Sequence, residues 1–233
     1  MLVYGRNSCE EFLINNGKIK KVYLDKNFSD NKLISLIEKK KIKPIFYNKF
    51  DLDELADGNH QGIIIDAGEY EYCDIDEIIK DNGFIVMLDH LEDTHNFGAI
   101  IRTCEAAGVD GIIIPKDRSV KVNSTVMKTS SGAAINMKIC MVTNLNQTIE
   151  TLKKHGFWVV ASDGEAKQSY SDLDYNMKVA LIVGSEGKGI SSLVLKNADF
   201  VTKIPMFGHV NSLNASVATG IYLAMINEKR KGK

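Results

Sequence analysis

The sequence predicts an α/β protein, with a doubly wound, mostly parallel sheet in its C-terminal part and a smaller α/β unit before it. Three observations carry this. Near-continuous apolar runs recur from Phe84 onward, as strands covered on both faces require. Helix-length patterns separate them. Residues 1–67 show the same alternation on a smaller scale, set apart by an acidic stretch.

In the first unit, Asn7 and Glu10 have the spacing of a capping box, Leu13 and Ile14 give an apolar face, and Gly17 stops the helix. Val22–Leu24 reads as a strand. Ser29 is placed to cap a helix whose Leu33, Ile34, Leu36 and Ile37 face inward, ending at Lys39-Lys40-Lys41. Pro44–Tyr47 and Gly62–Ile65 are further strands, with 52–55 helical between them. Residues 68–82 are acidic, weakly patterned and bounded by Gly68 and Gly83, which predicts a linker. The second unit, 83–233, has strand runs at Phe84–Leu88, Gly111–Ile114, Met137–Val142, Phe157–Val160, Val179–Val183 and Phe200–Ile204. Helical patterns cover 98–107, 145–155, 189–197 and 212–228.

The 233 residues, 44% hydrophobic and 25% charged, suffice for one large or two small globular domains. No apolar run approaches the ~20 residues of a membrane span. The N-terminus lacks a charged start followed by an apolar core, so we expect a cytoplasmic protein without a membrane partner. Cys9, Cys73, Cys104 and Cys140 lie far apart and the histidines show no ligand spacing; reduced thiols and no structural metal are expected. The net charge of −1 conceals an asymmetry: 11 Lys/Arg against 5 Asp/Glu in residues 1–50, then none against 10 over 51–77. A basic block of this kind can mark an interaction surface. Solvated lysine-rich helices explain it equally well.

Three segments concentrate polar chemistry where apolar runs give way to helices: Asn96–Arg102, Ile182–Gly189 and Asn211–Ala218. In an open α/β sheet such positions lie at the carboxyl ends of strands, where ligands bind. No Gly-x-Gly-x-x-Gly follows the first strand of either unit. Gly184-Ser-Glu-Gly-Lys188 has too few residues between its glycines for a phosphate loop, and Gly189 stands where a Ser/Thr is required. Gly184, Gly187 and Gly189 instead allow close backbone approach to a ligand. Glu186 among them can accept hydrogen bonds, although taken alone a strand-to-helix turn explains the loop better. Asn96 is placed to cap a helix, and Arg102 is either a surface charge or a clamp for phosphate or carboxylate. Asn211, Ser212, Asn214 and Ser216 together exceed what one cap requires. The final helix is apolar on a broad face, which fits either a homodimer interface or an embedded core helix.

These three segments resemble the signature motifs of the SpoU family of RNA 2′-O-ribose methyltransferases, of the SPOUT superfamily. Val3–Ser8 and His60-Gln-Gly62 resemble the family's N-terminal substrate-binding domain. The resemblance implies an RNA-binding domain over 1–67 and a SPOUT methyltransferase domain over 83–233. It also implies a deep trefoil knot, S-adenosylmethionine as methyl donor, and a homodimer with the active site near the subunit interface. Because the leaving group is neutral, the transfer needs no metal in principle.

By the same resemblance Asn96, Arg102, Glu186, Ser212 and Asn214 form the catalytic group, and Gly184, Glu186, Ile204, Met206 and Leu213 line the donor site. Free arginine is effectively always protonated, so we expect Arg102 to hold the target phosphate and not to act as base. Arg6, Lys18, Lys20, Lys21, Lys39, Lys40 and Lys41 are candidate RNA contacts. The implied substrate is 23S ribosomal RNA, at a guanosine of the peptidyl-transferase P loop. A tRNA ribose methyltransferase and a non-catalytic ribosome-assembly protein are the alternatives.

Overall fold

The structure, a computed structural model, describes residues 1–15, 17–56 and 58–231. Its first elements are β1 (Leu2–Tyr4), α1 (Arg6–Ile14), β2 (Lys21–Asp25), α2 (Asn31–Lys39), β3 (Ile45–Tyr47), α3 (Lys49–Leu55) and β4 (Ile63–Asp66). Then come β5 (Phe84–Asp89), α4 (Thr94–Ala106), β6 (Gly111–Pro115), α5 (Ser124–Thr129), β7 (Ile139–Val142), α6 (Leu145–Lys154) and β8 (Phe157–Ser162). The chain continues through β9 (Gln168–Ser169), β10 (Lys178–Gly184), α7 (Ser192–Asn197), β11 (Phe200–Lys203) and α8 (Ala215–Lys231). These form two units. One is Met1–Glu71 with Lys121–Asn136; the other is Tyr72–Val120 with the chain from Met137 onward.

The first unit is a four-stranded sheet in the order β1-β4-β2-β3, with β4 antiparallel to both neighbours and β2 parallel to β3. Ile63, Ile64 and Ile65 of β4 are all fully buried because both faces of the sheet are covered. Ile64 joins Tyr4, Leu52 and Ala56 under α3. Strand alternation turns Ile63 and Ile65 to the other face, where α1 packs against α2 and β4.

Local capping departs from expectation in two places. Helix α1 starts at Arg6 behind Gly5, whose φ of 86° suits glycine, so Asn7 lies inside the helix and forms no box with Glu10. The helix ends at Ile14 with Asn15 as its cap, short of Gly17. Asp30 caps α2 in place of Ser29, accepting the Leu33 N–H at 3.2 Å.

Segment 121–136 leaves the parallel sheet after β6 and packs in the first unit. There the Lys128 ammonium lies 5.4 Å from the centre of the Tyr4 ring, and the Tyr70 hydroxyl donates to the Ala134 carbonyl at 3.0 Å. A Cβ on Gly132, whose φ is +87°, would come within 2.7 Å of the Glu11 Cβ. The expected linker is likewise divided and packed. Cys73 N–H donates to the Ile139 carbonyl at 2.9 Å, and Ile78 is fully buried in the second unit's core. Its apolar Ile75, Ile78 and Ile79 outweigh the surrounding carboxylates.

The second unit is a seven-stranded sheet, β7-β6-β5-β10-β8-β11-β9, with every strand pair parallel. All six residues of β5 are buried. Ile85, Met87, Val159, Ala161 and Ile182 pack under α6 and α7. Helices α4 and α8 pack together on the other side, against β6 and β10 respectively. Strand order reverses between β5 and β10, and a crevice at the carboxyl ends beside such a reversal is where open α/β sheets bind ligands. Among the described residues no helix is long and apolar enough to cross a membrane, and no group of three metal-ligating side chains is gathered. All four cysteines are free.

Candidate active site

Asp93 caps α4 and accepts the Asn96 N–H at 2.7 Å. The expectation that Asn96 is the cap is therefore corrected: the cap of α4 stands three residues earlier, and the Asn96 carboxamide is available for contacts with two other loops. Its Nδ2 donates to Glu186 Oε1 at 3.1 Å, and its Oδ1 accepts from Asn214 Nδ2 at 2.8 Å. Asn214 Nδ2 also donates to the same Glu186 oxygen.

The orientation of Asn214 is fixed from behind. Its Oδ1 accepts from the backbone N–H of Ser216 at 2.9 Å and of Val217 at 3.3 Å, and from the Ser216 hydroxyl at 2.6 Å. That cap at the start of α8 leaves the NH2 facing Asn96 and Glu186. An ionised carboxylate can only accept hydrogen bonds, and two carboxamides supply donors to one of its oxygens. Residues 118 positions apart in sequence thus meet through a single carboxylate.

The loop carrying Glu186 is closed on itself. Ser185 and Gly189 exchange backbone hydrogen bonds at 3.2 and 2.9 Å, with Gly187 and Gly189 at φ +80° and +64°. A Cβ on Gly184 would lie 2.2 Å from the Gly189 carbonyl carbon, so only glycine fits there. Beside this loop is a cleft of about 770 Å³. Gly184, Glu186, Ile204, Met206, Ser212, Leu213 and Asn214 all line it. Sequence reading missed its fourth wall, Ser162-Asp163-Gly164-Glu165 at the end of β8, although Ser-Asp-Gly at the end of an apolar run is a visible turn signal.

A smaller cavity of about 380 Å³ adjoins the same loop and contains Asn96, Asp89, His90, Arg118 and Lys188. Asp89 is buried and accepts the Ser191 N–H at 2.7 Å and the His90 ring N–H, tying the end of β5 to the loop after β10. Arg102 lines neither cavity. It is exposed on α4, six residues past Asn96, about 9 Å farther along the axis and on a different face.

The predicted RNA contacts all lie on the first unit. Lys18 pairs with Glu71 at 2.6 Å. Arg6 is 3.6 Å from the Asp30 carboxylate and sits over the Phe28 ring. The Lys20 side chain packs over Gly68. Lys21, Lys39 and Lys41 are exposed, and Lys40 is half-buried at the end of α2.

Residues 83–224 match the family described as SpoU rRNA methylase, and residues 2–73 match a second family, RNA 2′-O ribose methyltransferase substrate binding. The chain belongs to the SpoU rRNA methylase family. Its SpoU relatives include a TrmH family tRNA/rRNA methyltransferase of Staphylococcus haemolyticus, 39% identical over 99% of this chain and 96% of the relative. A Bacillus subtilis protein of the same description is 39% identical over 98% of this chain and 95% of its own. Among solved SpoU structures, the methyltransferase AviRb of Streptomyces viridochromogenes, determined with AdoMet, superposes with a TM-score of 0.88. That match covers 100% of this chain and 91% of AviRb at 20% identity, a likeness of fold.

Proposed function

We propose that this protein transfers a methyl group from S-adenosylmethionine to a ribose 2′-hydroxyl of RNA, its target a guanosine in the peptidyl-transferase P loop of 23S ribosomal RNA. The observation that carries the reading is the Asn96–Glu186–Asn214 cluster beside a cleft where Gly184 leaves no room for a side chain. The cleft suits this donor. Ile204, Met206 and Leu213 offer apolar surface for a purine, and Asp163, Glu165 and Glu186 give a negative setting for a sulfonium. When bound, the donor supplies an electrophilic methyl on sulfur whose departure leaves a neutral sulfide.

The chain's own residues supply alignment, and the target phosphate, held by Arg102, takes the hydroxyl proton as the oxygen bonds to the methyl and the methyl–sulfur bond breaks. Asn96 and Asn214 fix Glu186, which orients the ribose. Ser212 positions the hydroxyl, and Arg102 holds the target phosphate as a bidentate cation. Since Arg102 stands away from the cluster in one chain, the reading includes a homodimer whose interface completes the site. Phe207, Val210 and Val217, 97%, 64% and 50% exposed, are apolar surface for such an interface. The segment between β10 and α8 is the knotted one in this reading, and a ribosomal substrate places the protein in the cytoplasm.

The test is transfer of labelled methyl to unmodified 23S rRNA and, in parallel, to unmodified tRNA, with nuclease mapping of the product. Label in a single 23S ribose is the expected result. Label confined to tRNA overturns the substrate, and none in either RNA supports the non-catalytic assembly role.

A further inference from the structure

The cavity beside Asn96 contains two cations that the mechanism above does not use. Arg118 and Lys188 are both exposed within it, and neither side chain pairs with any described residue. This occurs beside Asp89, Asp93 and Glu186, which are themselves engaged: Asp89 by Ser191 and His90, Asp93 by the α4 amide, Glu186 by the two asparagines. The fourth carboxylate of the cavity, Glu92, is exposed and pairs with no described residue, so Arg118 and Lys188 face the cavity with one unengaged carboxylate beside them.

The backbone holds Arg118 in place. Its φ is +49°, a left-handed conformation uncommon for a residue with a side chain. The next two residues anchor it to the loop before α4: Ser119 Oγ and Val120 N–H both donate to the Leu91 carbonyl, at 3.3 and 2.8 Å. Strained backbone persists where its surroundings fix it, and such positions cluster at ligand sites.

The two cavities share Ser185, Glu186, Lys188 and Gly189. Asn96 lines only the smaller and Asn214 only the larger, so their hydrogen bond joins the two. We propose that the smaller cavity is the acceptor side of the site, where Arg118 and Lys188 hold a backbone phosphate of the RNA strand next to the target nucleotide. Arg118 offers a planar fork to two phosphate oxygens, and Lys188 adds a point charge from the loop that carries Glu186. This assignment rests on the RNA methyltransferase reading above.

The test measures binding of an unmodified 23S rRNA fragment, without donor, as a function of salt for the wild type, Arg118→Gln and Arg118→Lys. Arg118→Gln is expected to bind about tenfold more weakly. Its log–log salt slope should be shallower by about 0.7, the value for one single-strand phosphate left unneutralised. Arg118→Lys should restore the slope but only part of the affinity. Donor affinity, measured by calorimetry, should be unchanged in both, because Arg118 does not line the larger cleft; a matching loss there would mean a misfolded variant site and overturn the assignment. A wild type that binds and methylates RNA while Arg118→Gln keeps affinity and slope overturns the phosphate site and leaves the function standing. A wild type that binds neither rRNA nor tRNA overturns both.

Discussion

Asn214 caps the last helix with its oxygen while its nitrogen donates to Asn96 at 2.8 Å and to Glu186. The start of α8 is thereby registered on the carboxylate of the loop after β10, and a single carboxamide serves both structure and site.

Asn214→Asp keeps a competent cap but removes both donated hydrogen bonds and sets a second carboxylate against Glu186. Methyl transfer should fall about 100-fold, the scale of losing one oriented polar group at a reacting centre, while the melting temperature changes little because the cap is kept. Transfer at the wild-type rate would contradict this.

Gly184→Ala places a methyl group against the Gly189 backbone, which no side-chain rotation can relieve. Overpacking of this kind costs about 1–3 kcal/mol. We expect a melting temperature lower by several degrees, with donor affinity at least about tenfold weaker by calorimetry. Undiminished donor binding would remove this loop from the donor site.

Arg102→Lys keeps the charge and loses the bidentate fork. Donor binding should stay normal while transfer drops by about 100-fold. Near-normal turnover would show that the fork has no part in the reaction.

Lys39, Lys40 and Lys41 replaced together by alanine should reduce the salt slope of RNA binding by about 2, at roughly 0.7–0.9 for each phosphate no longer neutralised. An unchanged slope would return the cluster to ordinary solvated surface.

The parallel sheet was legible because β5, β6 and β10 are buried on both faces and so read as unbroken apolar runs. The Glu186 loop was legible because it ends the β10 run, and Asn96 and Asn214 because they stand where helices begin after the β5 and β11 runs. Caps were not: Asp93 and Asn96, or Ser29 and Asp30, are chemically close neighbours, and which one serves depends on where the helix first finds its packing. The excursion of 121–136 carries no periodic signal, since its anchors are single contacts such as Gly132 against Glu11. The second cavity was hidden for a similar reason. Arg118 lies in an ordinary-looking turn, and its left-handed backbone cannot be read from residue type.

In the proposed reading one carboxylate, held by two asparagines, serves methyl transfer while the adjoining cleft binds the donor. Glu186→Ala tests it most directly, with donor affinity by calorimetry and single-turnover transfer to unmodified RNA measured on the same preparation. Donor affinity should fall by no more than about tenfold, since Asp163 and Glu165 remain in the cleft, while transfer slows by about 100-fold or more, the scale of losing one oriented polar group at a reacting centre. Transfer at the wild-type rate would contradict it.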